Sequence, residues 1–315
     1  MKTIKVNKND ANIRLDNFLS KTFVNFKKSE IYKAIRNKKI KVNNKKVKFD
    51  YHVQLNDEIK LFINDEFLMD KKQPLNLQNK QDFSIIYEDK NIILVYKPKG
   101  LVVHADNNGE TNTLINQVVS YLIKTNQYIP KEENTFVPSL VNRLDRNTAG
   151  IVLIAKNRPT LDLLNEKMKN HEINKYYIAK VHGIIDPKSA TLVAYLTKNN
   201  NDNLVKITKK PINDNSKQII TKYKMISHDS NTSIIEINLL TGRTHQIRAH
   251  MNYIGFPLFG EKKYTNWKFN SLDNNKHQSL CAYKIEFNFS TNSKHLSYLN
   301  KKCFILDDKT INVNL

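Results

Sequence analysis

The stretch VNRLDRNTAGIVLIAKN, residues 141–157, joins a charged segment directly to an apolar one. Its second half contains GIVLIA, an unbroken apolar run rich in β-branched residues, which is typical of a buried strand. Asp145 comes shortly before this run, so the pattern predicts a loop at the edge of a sheet with a rigid strand behind it. A carboxylate at such a place can cap a helix, join a surface ion pair, bind a metal ion or act as a nucleophile.

Arginine is scarce in this chain, and its positions are therefore informative. Of the 51 lysines and arginines, only seven are arginine, at positions 14, 36, 143, 146, 158, 243 and 248. Where composition drifts toward lysine, a retained arginine indicates a need for a planar cation with two parallel donors. Arg143 and Arg146 flank Asp145, which favours a carboxylate kept ionised by positive charge. A structural ion pair is the alternative, and metal ligation is poorly supported because no acid or histidine lies nearby at ligand spacing.

The composition limits the class of protein. The chain has 315 residues, enough for two domains, and no apolar run approaches the roughly 20 residues that cross a membrane. The N-terminus lacks the apolar core of a signal peptide, which predicts a cytoplasmic protein, expected to be a monomer. Two cysteines exclude a disulfide framework or thiolate zinc cluster, and seven glycines provide no glycine-rich phosphate loop. We therefore expect no metal and no cofactor.

Residues 1–65 have the pattern of a small separate domain. IRLDNFLSKTF has apolar residues at helical spacing, and KKSEIYKAIRNKK predicts a second helix with Ser29 as its N-cap. In IKVNNKKVKF, apolar residues alternate on both sides of Asn43 and Asn44, which tolerate the positive φ of a tight hairpin turn. Residues 66–82 are polar, contain Pro74 and lack periodicity, which predicts a linker.

The basic charge is concentrated in this first domain. The formal net charge is +21, and part of it can come from the codon composition of an AT-rich genome. Between Lys27 and Lys48, however, there are ten lysines and arginines and one acid, Glu30. Basic residues that neutralise phosphates release counterions and raise affinity for nucleic acid. The charge therefore favours a polyanionic partner.

Residues 83–315 have the pattern of an α+β domain. Short β-rich runs recur, namely FSIIYED, NIILVYKP, GIVLIAKN, KYYIAKVHGII, SIIEINLL and AYKIEFNF. Between them lie helix candidates, TLINQVVSYLIKT, RPTLDLLNEKMKNHE and THQIRAHMNYIG. This mixture predicts a mixed, mainly antiparallel sheet with a few helices. The tail after Cys303 has the pattern of a terminal strand.

Two further segments combine polar and apolar residues in ways that allow a site. In TGRTHQIRAH, Thr244 can cap a helix on which His245 and Arg248 share a face, although a packed helix with incidental charges is the alternative. In NKYYIAKVHG, Tyr176 and Tyr177 open an alternating strand, so one points inward and the other outward. Such tyrosines are most often core residues.

Four segments in order resemble the RluA-type pseudouridine synthases: KPKGLVVH, NRLDRNTAGIVLIAKN, KYYIAKVHG and TGRTHQIRAHMNYIGFPLFGEKKY. This resemblance covers the region from about Phe83 to the C-terminus, and the first 65 residues resemble the αL-motif RNA-binding domain, the S-four type of ribosomal proteins. The pair is similar to the RluC-like branch. The resemblance implies a cofactor-free isomerase that converts uridine to pseudouridine in structured RNA, with 23S ribosomal RNA as the expected partner. A synthase that acts on transfer RNA and a non-catalytic ribosome-assembly protein are the alternatives.

The resemblance also implies roles for individual residues. Asp145 matches the catalytic aspartate, Tyr177 the tyrosine that stacks on the target base, and Arg248 the basic residue that pairs with the aspartate. Arg143 resembles the arginine that enters the RNA where the base has left. The other residues expected to contact RNA are Arg146, Arg243, His245, Lys28, Lys33, Arg36, Lys38, Lys39 and Lys41.

Three positions depart from the family's pattern. Asn142 stands where the family usually has histidine, which puts in doubt the hydrogen bond that histidine would make to the loop. Ala149 replaces the common serine or threonine, and Glu261 replaces the aspartate of GDxxY. The last two are interpreted as conservative drift.

Overall fold

The computed structural model describes residues 1–70, 78, 80–105, 109–198, 204–265 and 277–315, and two β-sheets organise them. Part of the segment predicted as a linker, residues 71–77 and 79, lies outside the described residues. Asp65–Phe67, at the start of that segment, form a short 3-10 helix. None of the helices in the described ranges has the length and apolar character needed to cross a membrane.

The first sheet has four strands in the order β1-β4-β2-β3. Its strands and the two helices packed on it are β1 (Lys2–Lys5), α1 (Leu15–Thr22), α2 (Lys28–Arg36), β2 (Ile40–Val42), β3 (Lys45–Lys46) and β4 (Glu58–Leu61). Asn43 and Asn44 have φ values of 50° and 62°, which confirms the predicted hairpin turn. The predicted cap of α2 is wrong: the helix begins at Lys28, and Lys27 is its N-cap without a side-chain hydrogen bond.

The second sheet has eleven strands, of which nine follow the order β11-β10-β12-β13-β9-β14-β8-β6-β5. Strand β7 adds to β8, and β15 adds to β14. The strands are β5 (Ser84–Glu88), β6 (Ile92–Lys97), β7 (Ser139–Leu140), β8 (Ala149–Ala155), β9 (Ile173–His182), β10 (Ser189–Lys198), β11 (Val205–Thr208), β12 (Lys217–His228), β13 (Thr232–Leu239), β14 (Leu280–Phe287) and β15 (Cys303–Ile305). Among these described strands, every pair is antiparallel except β8 with β14. This arrangement confirms the predicted α+β class with a mixed, mainly antiparallel sheet.

Helices cover both faces of the larger sheet. Alternate residues of β6 belong to two different apolar clusters, which shows that the clusters lie on opposite faces. One face packs against α3 (Leu114–Lys124) and α5 (Gln246–Tyr253), and the other against α4 (Arg158–Lys169) and α6 (Asp308–Val313). The predicted terminal strand is therefore only part of the tail, because β15 is followed by α6, whose N-cap Asp307 accepts from the backbone of Thr310.

Gly150 allows the two parallel strands to meet. Its φ of 129° lies in a region that side chains rarely adopt, and a Cβ there would lie 2.3 Å from the backbone oxygen of Ala282 in β14. Glycine is therefore required for β8 to begin this close to β14. This junction is the rigid support behind the loop that carries Asp145.

Candidate active site

The three segments singled out in the sequence meet in one open cleft of about 1230 Å³. Asp145 contributes from the loop between β7 and β8, Tyr177 from β9, and Arg248 from α5. Arg143, Arg243 and His245 line the same cleft. Its volume far exceeds that of one base, and its walls carry several cations.

Asn142 fastens the loop to the sheet. The backbone N–H of Val141 donates to the Leu153 carbonyl at 2.9 Å, continuing the pairing of β7 with β8. Beyond it, the Asn142 side chain continues the pairing, since its Oδ1 accepts from Leu153 N at 2.7 Å and its Nδ2 donates to Ile151 O at 3.3 Å. Asn142 therefore offers β8 both a donor and an acceptor from the position where the family usually has histidine.

Lys97 holds the loop from the other side. Its ammonium donates to the carbonyl oxygens of Pro98 and Leu101 at 2.8 Å and of Arg146 at 3.0 Å. The side chain is completely buried at the end of β6. Burial lowers the pKa of Lys97 to about 7, against the opposing charge of Asp145. One lysine therefore ties the segment after β6 to the loop that carries Asp145.

Asp145 is held through only one of its two carboxylate oxygens. Its Oδ2 accepts from Arg248 Nη1 at 3.3 Å and lies 3.8 Å from His245 Nε2. Within the described ranges, Oδ1 has no hydrogen-bond or ion-pair partner, and the side chain is 27% exposed. The loop thus fixes the carboxylate by one oxygen and leaves the other available to a ligand.

Arg248 is itself held by Glu261. The Nε and Nη2 atoms of Arg248 donate to the two oxygens of Glu261 at 2.6 and 2.9 Å, and the Glu261 side chain is fully buried. Burial lowers the pKa of Arg248, but the hydrogen bonds and charge of Glu261, with a smaller contribution from Asp145, raise it above its ordinary value overall. The interpretation of Glu261 as drift missed this role, because its partner lies on a different element.

The two adjacent tyrosines face opposite sides of the sheet, as the alternation predicted. Tyr177 is buried in the floor of the cleft, two residues from Lys175 on the same face of β9. Tyr176 points away and donates to Glu286 at 3.1 Å. Burial, and then the charge of Asp145, raises the pKa of Tyr177, so the ring remains a phenol.

The start of α5 differs from the predicted one. The helix begins at Gln246 and its N-cap is His245, in the left-handed conformation with a φ of 52°, so Thr244 is not the cap. The Gln246 side chain holds the segment before the helix, because its Oε1 accepts from Arg243 N at 3.1 Å and from Thr241 Oγ1 at 2.9 Å. The left-handed turn directs the His245 side chain to the carboxylate of Asp145.

The predicted RNA-contacting residues fall into three environments. Arg143 and Arg243 are exposed at the cleft, and neither side chain has a partner within the described part of the chain. Arg146 pairs with Glu110 at 2.6 Å, and His245 is half-buried against Tyr264. The others lie on α2, the turn after it and β2, with Lys41 half-buried and the rest exposed: Lys28, Lys33, Arg36, Lys38 and Lys39.

Two family profiles match this chain. The profile of the RNA pseudouridylate synthase family matches residues 91–253, and that of the S4 domain matches residues 13–59. This chain belongs to the RNA pseudouridine synthase family. It is therefore an isomerase that acts on RNA, built as a synthase domain with an S4 domain in front of it.

Relatives are similar over most of their length. The chain is 35% identical to an uncharacterized RNA pseudouridine synthase of Mycoplasma capricolum, over 95% of each protein. It is 34% identical to the ribosomal large subunit pseudouridine synthase C of Buchnera aphidicola from Acyrthosiphon pisum, over 83% of this chain and 80% of that one. The solved structure of human RNA pseudouridylate synthase domain containing 4 shares the fold, with a TM-score of 0.57, 19% identity, and coverage of 74% of this chain and 91% of that one.

Four residues that line this RNA pseudouridine synthase's cleft or support its walls were given no role from the sequence. They are Lys97, Lys175, Glu261 and Tyr264. A lysine at the end of the otherwise apolar β6 was a usable signal for Lys97, because such a position predicts burial. Lys175 shares a strand face with Tyr177, so it could have been placed once that face was chosen. Glu261 and Tyr264 stand at the acid and tyrosine positions of GDxxY, and that pattern was the available signal for them.

Proposed function

We propose that this synthase isomerises uridines of large-subunit (23S) ribosomal RNA, with Asp145 as its catalytic carboxylate. One observation carries the assignment of Asp145. Its carboxylate lines an open cleft together with Tyr177 and is held through Oδ2 by Arg248, while Oδ1 has no partner among the described residues. Pre-positioned charge beside a stacking surface is what the reaction requires.

The reaction exchanges one bond of the uridine for another. The glycosidic bond from C1′ to N1 breaks, the uracil turns, and C5 bonds to C1′; C5 loses a proton and N1 gains one, so the net change is an isomerisation. No oxidant, reductant or energy source is consumed. Attack of the carboxylate on the sugar and assistance in sugar deprotonation both require an ionised Asp145 at this place. Arg248 donates to that carboxylate.

The detached uracil must stay in the cleft while it turns. Tyr177 provides the surface, since base–aromatic stacking contributes roughly 1–3 kcal/mol per base. A buried ring on a central strand cannot swing away, so the base rotates in its own plane against a fixed wall. Because the phenol keeps its proton, it adds no second negative charge beside Asp145.

Access requires the uridine to leave the RNA stack. Flipping costs a few kcal/mol, and side chains at the enzyme surface offset that cost. Arg143 is exposed two residues before Asp145 and has no partner among the described residues, so its guanidinium can enter the gap in the stack. Arg243 is exposed at the same cleft and can bind a neighbouring phosphate.

Two features favour ribosomal RNA as the substrate. The Buchnera relative is named a ribosomal large subunit pseudouridine synthase, and the S4 domain brings exposed cations to bind structured RNA. A synthase acting on transfer RNA is the second candidate, because the cleft binds a single flipped base, which both RNAs can supply.

The catalytic assignment is tested with Asp145→Asn. This variant is expected to lose pseudouridine formation while its RNA affinity stays within about threefold, because the substitution changes charge and little volume. Asp162→Asn, which alters an exposed pair on α4, is the matched control and should keep full activity. Turnover by folded Asp145→Asn protein would refute the role of Asp145.

The substrate is tested by mapping pseudouridines in a strain that lacks the gene. We expect positions in 23S ribosomal RNA to revert to uridine and to return with the wild-type gene but not with Asp145→Asn. Loss confined to transfer RNA would replace the proposed substrate by the second candidate. An unchanged map in both RNAs would contradict both.

A further inference from the structure

His245 lies between the catalytic carboxylate and a half-buried tyrosine, Tyr264. Its Nε2 is 3.8 Å from Asp145 Oδ2, and its Nδ1 is 2.7 Å from the Tyr264 hydroxyl. The imidazole is 14% exposed and meets the Tyr264 ring edge-on, with centroids 5.7 Å apart. Two sides of the ring are thus occupied by polar groups, which is unusual for a side chain that only binds phosphate at a surface.

The hydrogen bonds of Tyr264 determine where the imidazole proton is. With the O–H of Tyr264 donated to His245 Nδ1, 2.7 Å away, Nδ1 is the acceptor. Burial raises the pKa of Tyr264 to about 12, so the phenol keeps that proton. An Nδ1 that accepts requires the ring proton to be on Nε2, the atom that faces Asp145.

The imidazole is also neutral near pH 7. Burial lowers the pKa of His245 below its ordinary 6.5, and the charges of Arg248 and Lys263 act in the same direction, against Asp145 and Glu261. A neutral ring with hydrogen on Nε2 offers the carboxylate a donor without placing a second cation beside Arg248. That distinction matters because two full cations would make the carboxylate a weaker nucleophile or base.

We propose that His245 is a positioning residue that holds Asp145 Oδ2 through Nε2–H, beside Arg248, with Tyr264 fixing its tautomer. The inference rests on the proposed catalytic role of Asp145. Two donors from different directions on one oxygen prevent the carboxylate from rotating and keep Oδ1 aimed at the sugar. The distance of 3.8 Å exceeds a hydrogen bond, and contacts of this kind shorten when substrate closes the site.

The test compares two substitutions at position 245 that differ in side-chain length. Asparagine tolerates the left-handed backbone at position 245, but its side chain is too short to contact Asp145. His245→Gln carries an amide nitrogen the same number of bonds from Cβ as Nε2. We expect His245→Asn to lower kcat about 10- to 100-fold, with KM for RNA within about threefold, and His245→Gln to recover most of kcat. A loss confined to KM would indicate an RNA contact and overturn the proposal.

Tyr264→Phe tests the tautomer. Removal of the O–H should lower kcat several-fold in the wild-type background but have no further effect on His245→Gln, whose amide needs no tautomer; additive losses would overturn the coupling. In wild type, kcat should fall toward acid pH with an inflection below pH 6.5, because His245 gains a proton there. The titratable and charged groups around the imidazole are Tyr264, Asp145, Arg248, Lys263 and Glu261. This inflection should be absent from His245→Gln.

The outcomes separate this inference from the assignment of Asp145. If Asp145→Asn is inactive while His245→Asn keeps the wild-type kcat, only the role of His245 is refuted. If Asp145→Asn is active, the catalytic assignment fails whatever the histidine variants do. Melting temperatures of all variants establish that the compared proteins are folded.

Discussion

Arg248 binds two carboxylates at once, with Nε and Nη2 on Glu261 and Nη1 on Asp145. The two contacts are unequal, because the distances to Glu261 are 2.6 and 2.9 Å and that to Asp145 is 3.3 Å. Glu261 therefore determines where the guanidinium lies, and Asp145 accepts from the remaining nitrogen, Nη1. A fully buried acid behind the arginine keeps the net charge of the trio at one negative unit.

We expect Glu261→Gln to impair both folding and activity. Removing one member of a buried ion pair costs about 3–5 kcal/mol, because the other charge is left uncompensated. The displaced guanidinium would also release Asp145, and a misplacement of about 1 Å can reduce turnover about 100-fold. Urea unfolding and kcat, measured where the variant is still folded, check the two effects separately.

Glu286→Gln is the matched control for Glu261→Gln. Glu286 accepts from Tyr176 on the other face of β9, so its loss should leave turnover unchanged. Wild-type kcat in Glu261→Gln would show that Asp145 holds its position without the arginine.

Arg143 should matter most when the target uridine is base-paired. We expect Arg143→Gln to lower kcat/KM about 10- to 100-fold for a uridine in a stem, since the cost of flipping is no longer offset. For the same uridine in an open loop the change should stay within about threefold. Single-turnover assays on the two RNAs measure this difference. Arg146→Gln, which loses its pair with Glu110, should affect both RNAs equally.

The basic residues around α2 should control the salt dependence of binding. Lys33, Arg36 and Lys39 are exposed and have no acid partner in the described part of the chain. Each phosphate contact contributes about 0.7–0.9 to the slope of log affinity against log salt, so the triple glutamine variant should flatten it by about 2–3. Titrations at several salt concentrations give the slope.

A charge-matched triple variant completes that experiment. Lys222 and Lys224 are exposed on β12, and Lys309 is exposed on α6, away from the cleft. Their replacement by glutamine removes the same charge and should leave the slope unchanged. Equal flattening by the two triple variants would indicate a general charge effect in place of a binding surface.

Local patterns predicted the elements well where one interaction dominates. The paired asparagines at residues 43 and 44 identified a tight turn, and β8 was recognisable as an unbroken apolar run. Strands β10 and β12 were not predicted, although β10 contains the apolar run LVAYL at residues 192–196. Their place in the sheet comes from pairing with each other along eight residue pairs, which is a tertiary property.

The site was predictable where the side chain acts within its own motif. Asp145 and Arg248 are 103 residues apart, and only the family resemblance brought them together before the structure did. The role of Glu261 depends on Arg248, 13 residues earlier on a different element, and Lys97 reaches the Asp145 loop through Arg146, 49 residues away. His245 was predicted as an RNA contact. Its hydrogen bond to Tyr264 depends on the left-handed backbone conformation of His245, which was not predicted because Thr244 was expected to be the N-cap of the helix.

The buried Lys97 makes the free energy of unfolding depend on pH, and this contribution can be separated from that of other groups by substitution. Its folded pKa is about 7, below the ordinary 10.5 of an unfolded lysine. Between these values the unfolded chain binds a proton that the folded chain has released, so the free energy of unfolding rises with pH by up to about 1.4 kcal/mol per unit. Below pH 7 both states are protonated, and this contribution is constant.

We therefore expect Lys97→Met to lack this rise. The difference in unfolding free energy between wild type and Lys97→Met should grow as pH increases from 7 to about 9.5, when other groups contribute equally to both proteins. Urea titrations at several pH values measure it, with Lys309→Met as the exposed control. Parallel curves would mean that Lys97 stays charged throughout, because its three carbonyl acceptors hold the ammonium more strongly than burial opposes it.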